Sequence, residues 1–139
     1  MNRIALRSLA VVLLVVLTAC ASGRLTGFNL RDRTLYDYAG AIRWSQFESA
    51  WEFIDPKYRD AHPLSDLELE RFKLIQVTGY QVKGRIDGDD GSLEQVVEIR
   101  LVSKYTQAER IVSDHQVWRW DAEKKHFWLM SGLPDVTAD

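Results

Sequence analysis

The chain has 139 residues, of which 46% are hydrophobic and 27% charged, and its formal net charge at pH 7 is −2. This length fits one domain rather than two, and the composition is close to that of an ordinary globular chain. No basic stripe appears along the sequence, which argues against nucleic acid as a partner.

The first 19 residues differ from the rest and predict a signal peptide. They contain Arg3 and Arg7 but no acidic residue, and nine apolar residues follow without a break from Leu9 to Leu17. A membrane-spanning helix needs about 20 apolar residues, so this run is too short to span. A basic start followed by a short apolar run is typical of a secretory signal peptide. We therefore expect residues 1–19 to be removed.

The apolar run ends in Leu17-Thr18-Ala19-Cys20, with small residues before the only cysteine of the chain. This segment resembles the lipobox of bacterial lipoprotein precursors. The resemblance implies cleavage between Ala19 and Cys20, a diacylglyceryl group on the sulfur of Cys20, and fatty acyl chains such as palmitate. An ordinary secretory signal with a chance cysteine is the alternative.

Cleavage at this point would leave a mature chain of residues 20–139. Without Arg3 and Arg7 it has 16 basic and 20 acidic residues, a net charge of −4, which argues against electrostatic binding to a membrane. The expected membrane contact is the covalent lipid, because two or more acyl chains make anchoring stable. Ala21 follows the cysteine, where enterobacterial lipoproteins of the inner membrane have aspartate. The resemblance therefore implies the outer membrane of the cell envelope, facing the periplasm.

Residues 20–31 are interpreted as the lipidated N-terminus and a tether, because two glycines and no clear period argue against a regular element. The folded domain is expected to occupy residues 32–139 and to begin with a helix that Asp32 caps. The apolar face of this helix repeats at helical spacing. Its members are Leu35, Tyr38, Ala39 and Ile42.

A second helix is predicted directly after the first. Ser45 and Glu48 fit the capping box, in which serine and glutamate satisfy each other's free backbone donors. This pattern favours a break near Trp44, and one continuous helix is the alternative. Pro56 disfavours helical structure in the residue before it, so the second helix should end near Asp55.

A third, short helix is predicted to begin at another capping box, formed by Ser65 and Glu68, and to end near Phe72 with Leu64 and Leu67 as further contacts. After it the hydrophobic period changes to two, which predicts strands. Four strands are expected, over residues 74–87, 93–106, 109–120 and 126–130. The face of the apolar residues switches at Thr78-Gly79, which predicts a β-bulge in the first strand.

These elements predict an α+β fold, with two or three N-terminal helices packed on a curved four-stranded antiparallel sheet. The order of elements is similar to that of NTF2-like (cystatin-related) domains, as is the segment 38–51 followed by Ile54-Asp55-Pro56. The chain is also similar to small, uncharacterised proteobacterial lipoproteins. That resemblance implies a location and no activity.

The acidic turn after the first strand has two interpretations. Asp87, Asp89 and Glu98 fit three ligand positions of an EF-hand loop, but Ser92 stands where that loop requires glycine. Predicted strands rather than helices flank the turn, so a solvated hairpin turn is favoured. The histidines show no spacing typical of zinc ligands, and we expect no metal site. They are His62, His115 and His126.

Aromatic residues are the main candidates for a ligand or partner surface. The chain has five tryptophans, a high count for its length. Trp118 and Trp120 share one strand parity, Trp128 is expected on the neighbouring strand, and Tyr80 and Tyr105 could extend the same surface. These residues either fill the core as cross-strand aromatic pairs or line an apolar pocket or partner-binding patch.

The sequence contains no P-loop, dinucleotide fingerprint or nucleophile motif, and we predict no catalytic residue and no cofactor other than the lipid on Cys20. The preferred interpretation is a non-enzymatic envelope lipoprotein whose domain binds a protein or another envelope component. A carrier of a small apolar ligand in an NTF2-like cone is the alternative. A third possibility is an enzyme on the same cone, with an Asp or Tyr such as Asp114 as acid or base, although no local motif supports it. Asp114 and His115 alternate within a strand, so one of the two should face the helices or a cavity.

Overall fold

The computed structural model describes residues 27–137 of the chain. The predicted signal peptide, the lipobox and Cys20 lie outside the described residues. Within them the helices are α1 (Gly27–Arg43), α2 (Phe47–Trp51), α3 (Pro56–Ala61) and α4 (Asp66–Lys73). The strands that follow are β1 (Ile75–Asp87), β2 (Leu93–Ser103), β3 (Glu109–Asp121) and β4 (His126–Leu129).

The four strands form one open antiparallel sheet in the order β1-β2-β3-β4. This arrangement confirms the predicted α+β class and the four-stranded antiparallel sheet. Every strand boundary lies within three residues of its prediction. The expected number of helices is wrong, because residues 27–137 contain four rather than two or three.

The first helix starts earlier than predicted, at Gly27 rather than at Asp32. Asp32 is not its N-cap, because the aspartate lies inside the helix. Its carboxylate faces the guanidinium groups of Arg31 and Arg85, at 3.8 and 3.9 Å. The last residues of the predicted tether are therefore helical. α1 ends at Arg43, which confirms the predicted break near Trp44.

The predicted capping box at Ser45 and Glu48 is wrong. Ser45 has a φ of 57°, and its Oγ accepts a hydrogen bond from the backbone N–H of Val77 at 2.9 Å. The N-cap of α2 is Gln46, which makes no side-chain cap bond. The serine is therefore used to join the turn after α1 to the first strand.

The helix α3 was not predicted from the sequence. Asp55 is the N-cap of this helix and accepts hydrogen bonds from the backbone N–H groups of Lys57 and Tyr58, at 2.9 and 3.2 Å. Pro56 occupies the first turn, where a missing N–H costs nothing because that group has no partner within the helix. The Asp-Pro pair thus starts a helix, and α2 ends earlier than predicted, at Trp51.

The predicted capping box of α4 is confirmed. The backbone N–H of Glu68 donates to Ser65 Oγ at 3.3 Å, and Glu68 Oε2 accepts from the backbone N–H of Ser65 at 2.9 Å. Phe72 stacks on Phe47 with 4.3 Å between ring centroids, which joins α4 to α2. Leu67, however, is 61% exposed and is not a core residue.

The first strand contains two bulges. The predicted one, between Val77 and Gly79, brings Val77 and Tyr80 onto the same face of the sheet. The second, between Val82 and Gly84, was not predicted. It reverses the orientation of the residues that follow, so Ile86 points away from the core and is 71% exposed.

The core lies between α1 and the face of the sheet that we call the inner face. Every second residue of β2 from Leu93 to Leu101 is buried on this face. Tyr38 and Ile42 of α1 cover it and are fully buried. The free edge of β4 is closed by the chain before α3, since the backbone of Leu129 bonds to Phe53 and Asp55 at 2.9 Å.

Candidate functional site

The inner face carries a group of polar side chains inside the apolar core. The register of β2 and β3 places Gln95 opposite Gln116. Asp114 lies two residues before Gln116 and therefore on the same face, because side chains alternate along a strand. The exposed fractions of Gln95, Asp114 and Gln116 are 5%, 8% and 0%. The structure thus brings three buried polar groups together.

Gln116 connects these groups into what we call the Gln116 cluster: Tyr80, Gln95, Asp114, Gln116 and Trp118. The Gln116 amide nitrogen donates to Asp114 Oδ2 at 2.7 Å and to Tyr80 Oη at 3.2 Å. Its amide oxygen accepts from Gln95 Nε2 at 2.7 Å and from Trp118 Nε1 at 3.2 Å. The buried amide therefore has partners for all of its donors and acceptors.

Burial dominates the electrostatics of the cluster. It raises the pKa of Asp114 to about 6, although the hydrogen bond from Gln116 favours the charged form. Burial likewise raises the pKa of Tyr80 to about 12. Tyr38 is fully buried on α1, and burial together with the charge of Asp114 raises its pKa well above the usual value. The Tyr38 hydroxyl has no hydrogen-bond partner within the described residues.

A carboxyl group with a pKa near 6 can exchange a proton close to neutral pH, which is what acid–base chemistry requires. The surroundings of Asp114 are closed, however. Trp118 is fully buried, meets Tyr38 edge-on at 5.1 Å between ring centroids, and stacks on Phe127 at 5.5 Å. These rings fill the interior beside the cluster, so the arrangement supports a hydrogen-bonded core more than an open reaction site.

The tryptophans proposed as one surface lie in different places. Trp118 is in the core, and Trp120, which shares its parity, is partly buried against the core. Trp128 lies on the neighbouring strand as expected, but it is paired with Arg119 and faces away from the inner face. The structure therefore does not bring the three tryptophans onto one surface.

The two tyrosines are also separated. Tyr80 belongs to the Gln116 cluster, and the guanidinium of Arg43 lies over its ring at 5.1 Å from the centroid. Tyr105 lies in the turn between β2 and β3 and is 81% exposed. Tyr80 is thus part of the buried network, whereas Tyr105 is available at the surface.

The histidines and the acidic turn take ordinary structural positions. Asp114 faces the helices, whereas His115 is exposed on the opposite face with its Nε2 3.6 Å from Glu94. The acidic turn is a hairpin, in which Asp90 Oδ1 accepts from the backbone N–H of Ser92 at 3.0 Å. This confirms the favoured interpretation of the turn.

A second region, not predicted from the sequence, lies around α4. Neither α3 nor α4 buries a residue. Three adjoining depressions surround α4, with volumes of about 310, 340 and 510 Å³. Trp51 and Leu64 line both the first and the third, and Phe72 and Leu69 connect these two to the second. We call the surface of residues 44–74, together with Lys104 and Tyr105 in the turn beside them, the helix-side surface.

Exposed apolar side chains extend the helix-side surface around the end of α4. The backbone N–H of Lys104 donates to Leu74 O, and Lys104 Nζ donates to Lys73 O, both at 2.9 Å. These bonds hold the β2–β3 turn against the end of α4. The exposed fractions are 78% for Trp44, 61% for Leu67, 41% for Leu74 and 81% for Tyr105. Each of these four residues is next in sequence to a residue that lines one of the depressions, so this side of the domain is a candidate interaction site.

Within the described residues, no three His, Cys, Asp or Glu side chains form a group that could hold a metal ion. No helix among residues 27–137 has the length and apolar character needed to cross a membrane. Comparison of the chain with protein-family models, curated proteins and solved structures finds no match.

Proposed function

We propose that the chain is a lipoprotein of the bacterial cell envelope, anchored through Cys20, whose domain binds a partner and turns over no substrate. The anchor is supported by Leu17-Thr18-Ala19-Cys20, and location in the outer membrane by Ala21. The observation that carries the binding role is the helix-side surface, where apolar side chains stay exposed around a helix that buries none of its residues. The order of helix, break and helix before an antiparallel sheet supports an NTF2-like domain.

The direction of α1 separates the proposed anchor from the helix-side surface. Arg31, near the start of α1, pairs with Asp87 at 2.9 Å, at one end of β1. Ser45, just after α1, bonds to Val77 near the other end of β1. The 17 residues of α1 span about 25 Å at 1.5 Å per residue. A lipid on Cys20 would hold the first end at the membrane and leave the junction of α2 and α4 facing the periplasm.

Site-specific photocross-linking in the native membrane tests the binding role. A photoreactive residue in place of Leu67, which is exposed on α4, should capture one partner of reproducible mass. The same residue in place of Asp89, in the β1–β2 turn, is the control and should not capture that partner. Equal capture from the two positions would contradict the proposal, and so would turnover of a substrate by the purified protein.

The anchor has its own test. Cys20→Ser should abolish metabolic labelling with palmitate and release the protein from the membrane fraction. A labelled, membrane-bound Cys20→Ser protein would show that the lipid is attached elsewhere. Cys20→Ser that remains membrane-bound without label would instead point to an uncleaved signal peptide.

A second candidate function is an enzyme that uses Asp114 as acid or base. The observation that favours it is the pKa of about 6 for Asp114, whose charge also acts on the Tyr38 hydroxyl, which has no hydrogen-bond partner among residues 27–137. Such an enzyme would lose its activity in Asp114→Asn while keeping its fold. The carrier of an apolar ligand stays a prediction, and native mass spectrometry of the purified protein would reveal its cargo as a reproducible added mass.

A further inference from the structure

We propose that the helix-side surface binds a basic, amphipathic segment of its protein partner, with an arginine or lysine side chain inserted over Trp51. This inference rests on the proposed partner-binding function and adds the chemistry of the partner. It is carried by the largest of the three depressions around α4, of about 510 Å³, which we call the Trp51 cleft.

The Trp51 cleft has an apolar floor and an acidic rim. Trp51, Leu64 and Leu69 line it and are partly buried, so they form the floor. Glu48 and Asp60 line it and are exposed, so they form the rim. A guanidinium or ammonium group over a tryptophan face is stabilised by the ring quadrupole, and its aliphatic stem covers apolar surface. The cleft therefore fits a side chain that is apolar along its length and positive at its end.

The carboxylates of the rim are available to such a cation. Neither Glu48 nor Asp60 forms a salt bridge within the described residues. Lys73 lies close enough to Glu48 for each to feel the other's charge, but its ammonium group is bound to Glu70 at 2.8 Å. Arg59, a basic residue that lines the cleft, is likewise paired, since its Nη1 donates to Glu52 Oε2 at 3.1 Å.

The charge of the surrounding segment favours the same partner. Residues 45–73 contain seven acidic and four basic residues, a net charge of −3. The whole of residues 20–139 has a net charge of −4, so most of it is concentrated here. A basic segment would be attracted to this side of the domain, and an acidic one repelled.

The adjoining depressions favour a segment of polypeptide over a small amine. Trp51 and Leu64 continue into the depression of about 310 Å³, which Tyr58 and Phe72 also line. Leu69 continues into the depression of about 340 Å³ at the other side of α4. Three depressions that share lining residues can take neighbouring side chains of one segment, with apolar residues beside the basic one.

Fluorescence anisotropy with the full processed chain in a neutral detergent tests the inference. The probes are a labelled octapeptide of alternating leucine and arginine, and matched octapeptides with glutamate or serine in place of arginine. The arginine peptide should bind most tightly and the glutamate peptide least. Tighter binding of the serine or glutamate peptide would overturn the proposed chemistry.

Charge-removing variants locate the binding. Glu48→Gln combined with Asp60→Asn should weaken binding of the arginine peptide about five-fold, as two partly exposed ion pairs would. The matched control is Asp89→Asn combined with Glu123→Gln, which removes two exposed carboxylates from turns outside the surface. Both double variants are measured in the same detergent, so any binding of the peptide to detergent affects them equally and does not change the comparison between them. Equal weakening by the two pairs would place the binding elsewhere and overturn the inference.

The two proposals can fail separately. Capture of a partner from Leu67 without preference for the arginine peptide would keep the binding function and reject the basic segment. Preference for the arginine peptide that depends on Glu48 and Asp60, without capture of a partner from Leu67, would keep the cleft's chemistry and reject the binding function.

Discussion

The Gln116 cluster and the helix-side surface make opposite use of polar and aromatic residues. In the cluster, polar side chains are buried and Gln116 satisfies them, while Trp118 is enclosed by Tyr38 and Phe127. On the helix-side surface, apolar side chains stay exposed and two helices bury no residue. A buried polar network fixes one arrangement of a core, whereas exposed apolar side chains are accessible to another molecule. The first region therefore stabilises the fold, and the second is where we propose that a partner binds.

The largest expected effect comes from emptying the core beside the cluster. Trp118→Ala should destabilise the domain by about 3–5 kcal/mol, because it removes a fully buried indole and leaves a cavity. Trp44→Ala is the matched control, and at 78% exposure it should change stability by less than about 0.5 kcal/mol. Urea unfolding followed by circular dichroism measures both. Similar losses in the two variants would mean that Trp118 contributes no more to stability than an exposed tryptophan does.

The next effect concerns the charge of Asp114. Its pKa is about 6 in the folded state against an ordinary 3.8, so the folded protein holds this proton more tightly than the unfolded chain does. Ionised Asp114 therefore lowers the free energy of unfolding above pH 6, by up to about 3 kcal/mol. This reduction disappears as the pH falls towards 4 and Asp114 becomes protonated in both states. Asp114→Asn, which cannot ionise, should be more stable than the wild type at pH 8.

The pH dependence of the difference between Asp114→Asn and the wild type isolates this group from all others. The advantage of the variant should shrink between pH 8 and pH 4, when unfolding is measured in urea at several pH values. An advantage that stays constant with pH would show that Asp114 does not titrate in this range.

A smaller effect is expected from Gln116→Leu, which keeps the size of the side chain but removes its hydrogen bonds. It leaves Gln95, Trp118 and Asp114 without their shared partner, and the expected loss is about 2 kcal/mol. Because Gln116 favours the charged form of Asp114, the loss should be larger at pH 8 than at pH 5. Gln81→Leu, at an exposed position, is the control and should show neither effect.

The strands could be predicted from the sequence more accurately than the connections before them. A period of two between turn-forming residues fixes where strands begin and end, and the parity change at Gly79 revealed a bulge. The predicted roles of Ser45 as a helix cap and of Asp55 as the end of a helix are wrong. Serine and aspartate each occur in several kinds of local structure, so the residue type alone does not identify the role. Ser45 bonds to Val77, 32 positions away, and no local pattern indicates such a partner.

The Gln116 cluster could have been found from the sequence. Gln95 has the same parity as the apolar residues of its strand, and Asp114 and Gln116 share the parity of Trp118. Polar residues at inward positions predict a buried network. The exposure of Leu67 could not be predicted, because a leucine at helical spacing normally indicates a buried contact, and only the packing of α4 shows otherwise.

The smallest effect tests the stability of α4 itself. Ser65→Ala removes the capping box and should cost α4 about 1 kcal/mol. Since α4 buries no residue and is joined to α2 mainly through the stacking of Phe72 on Phe47, it can open without unfolding the sheet. Hydrogen exchange should therefore be about five-fold faster in α4 of the variant and unchanged in β2 and β3. Faster exchange in all three elements would mean that α4 is part of the cooperative core, and an interaction surface built on it would then be as rigid as the Gln116 cluster.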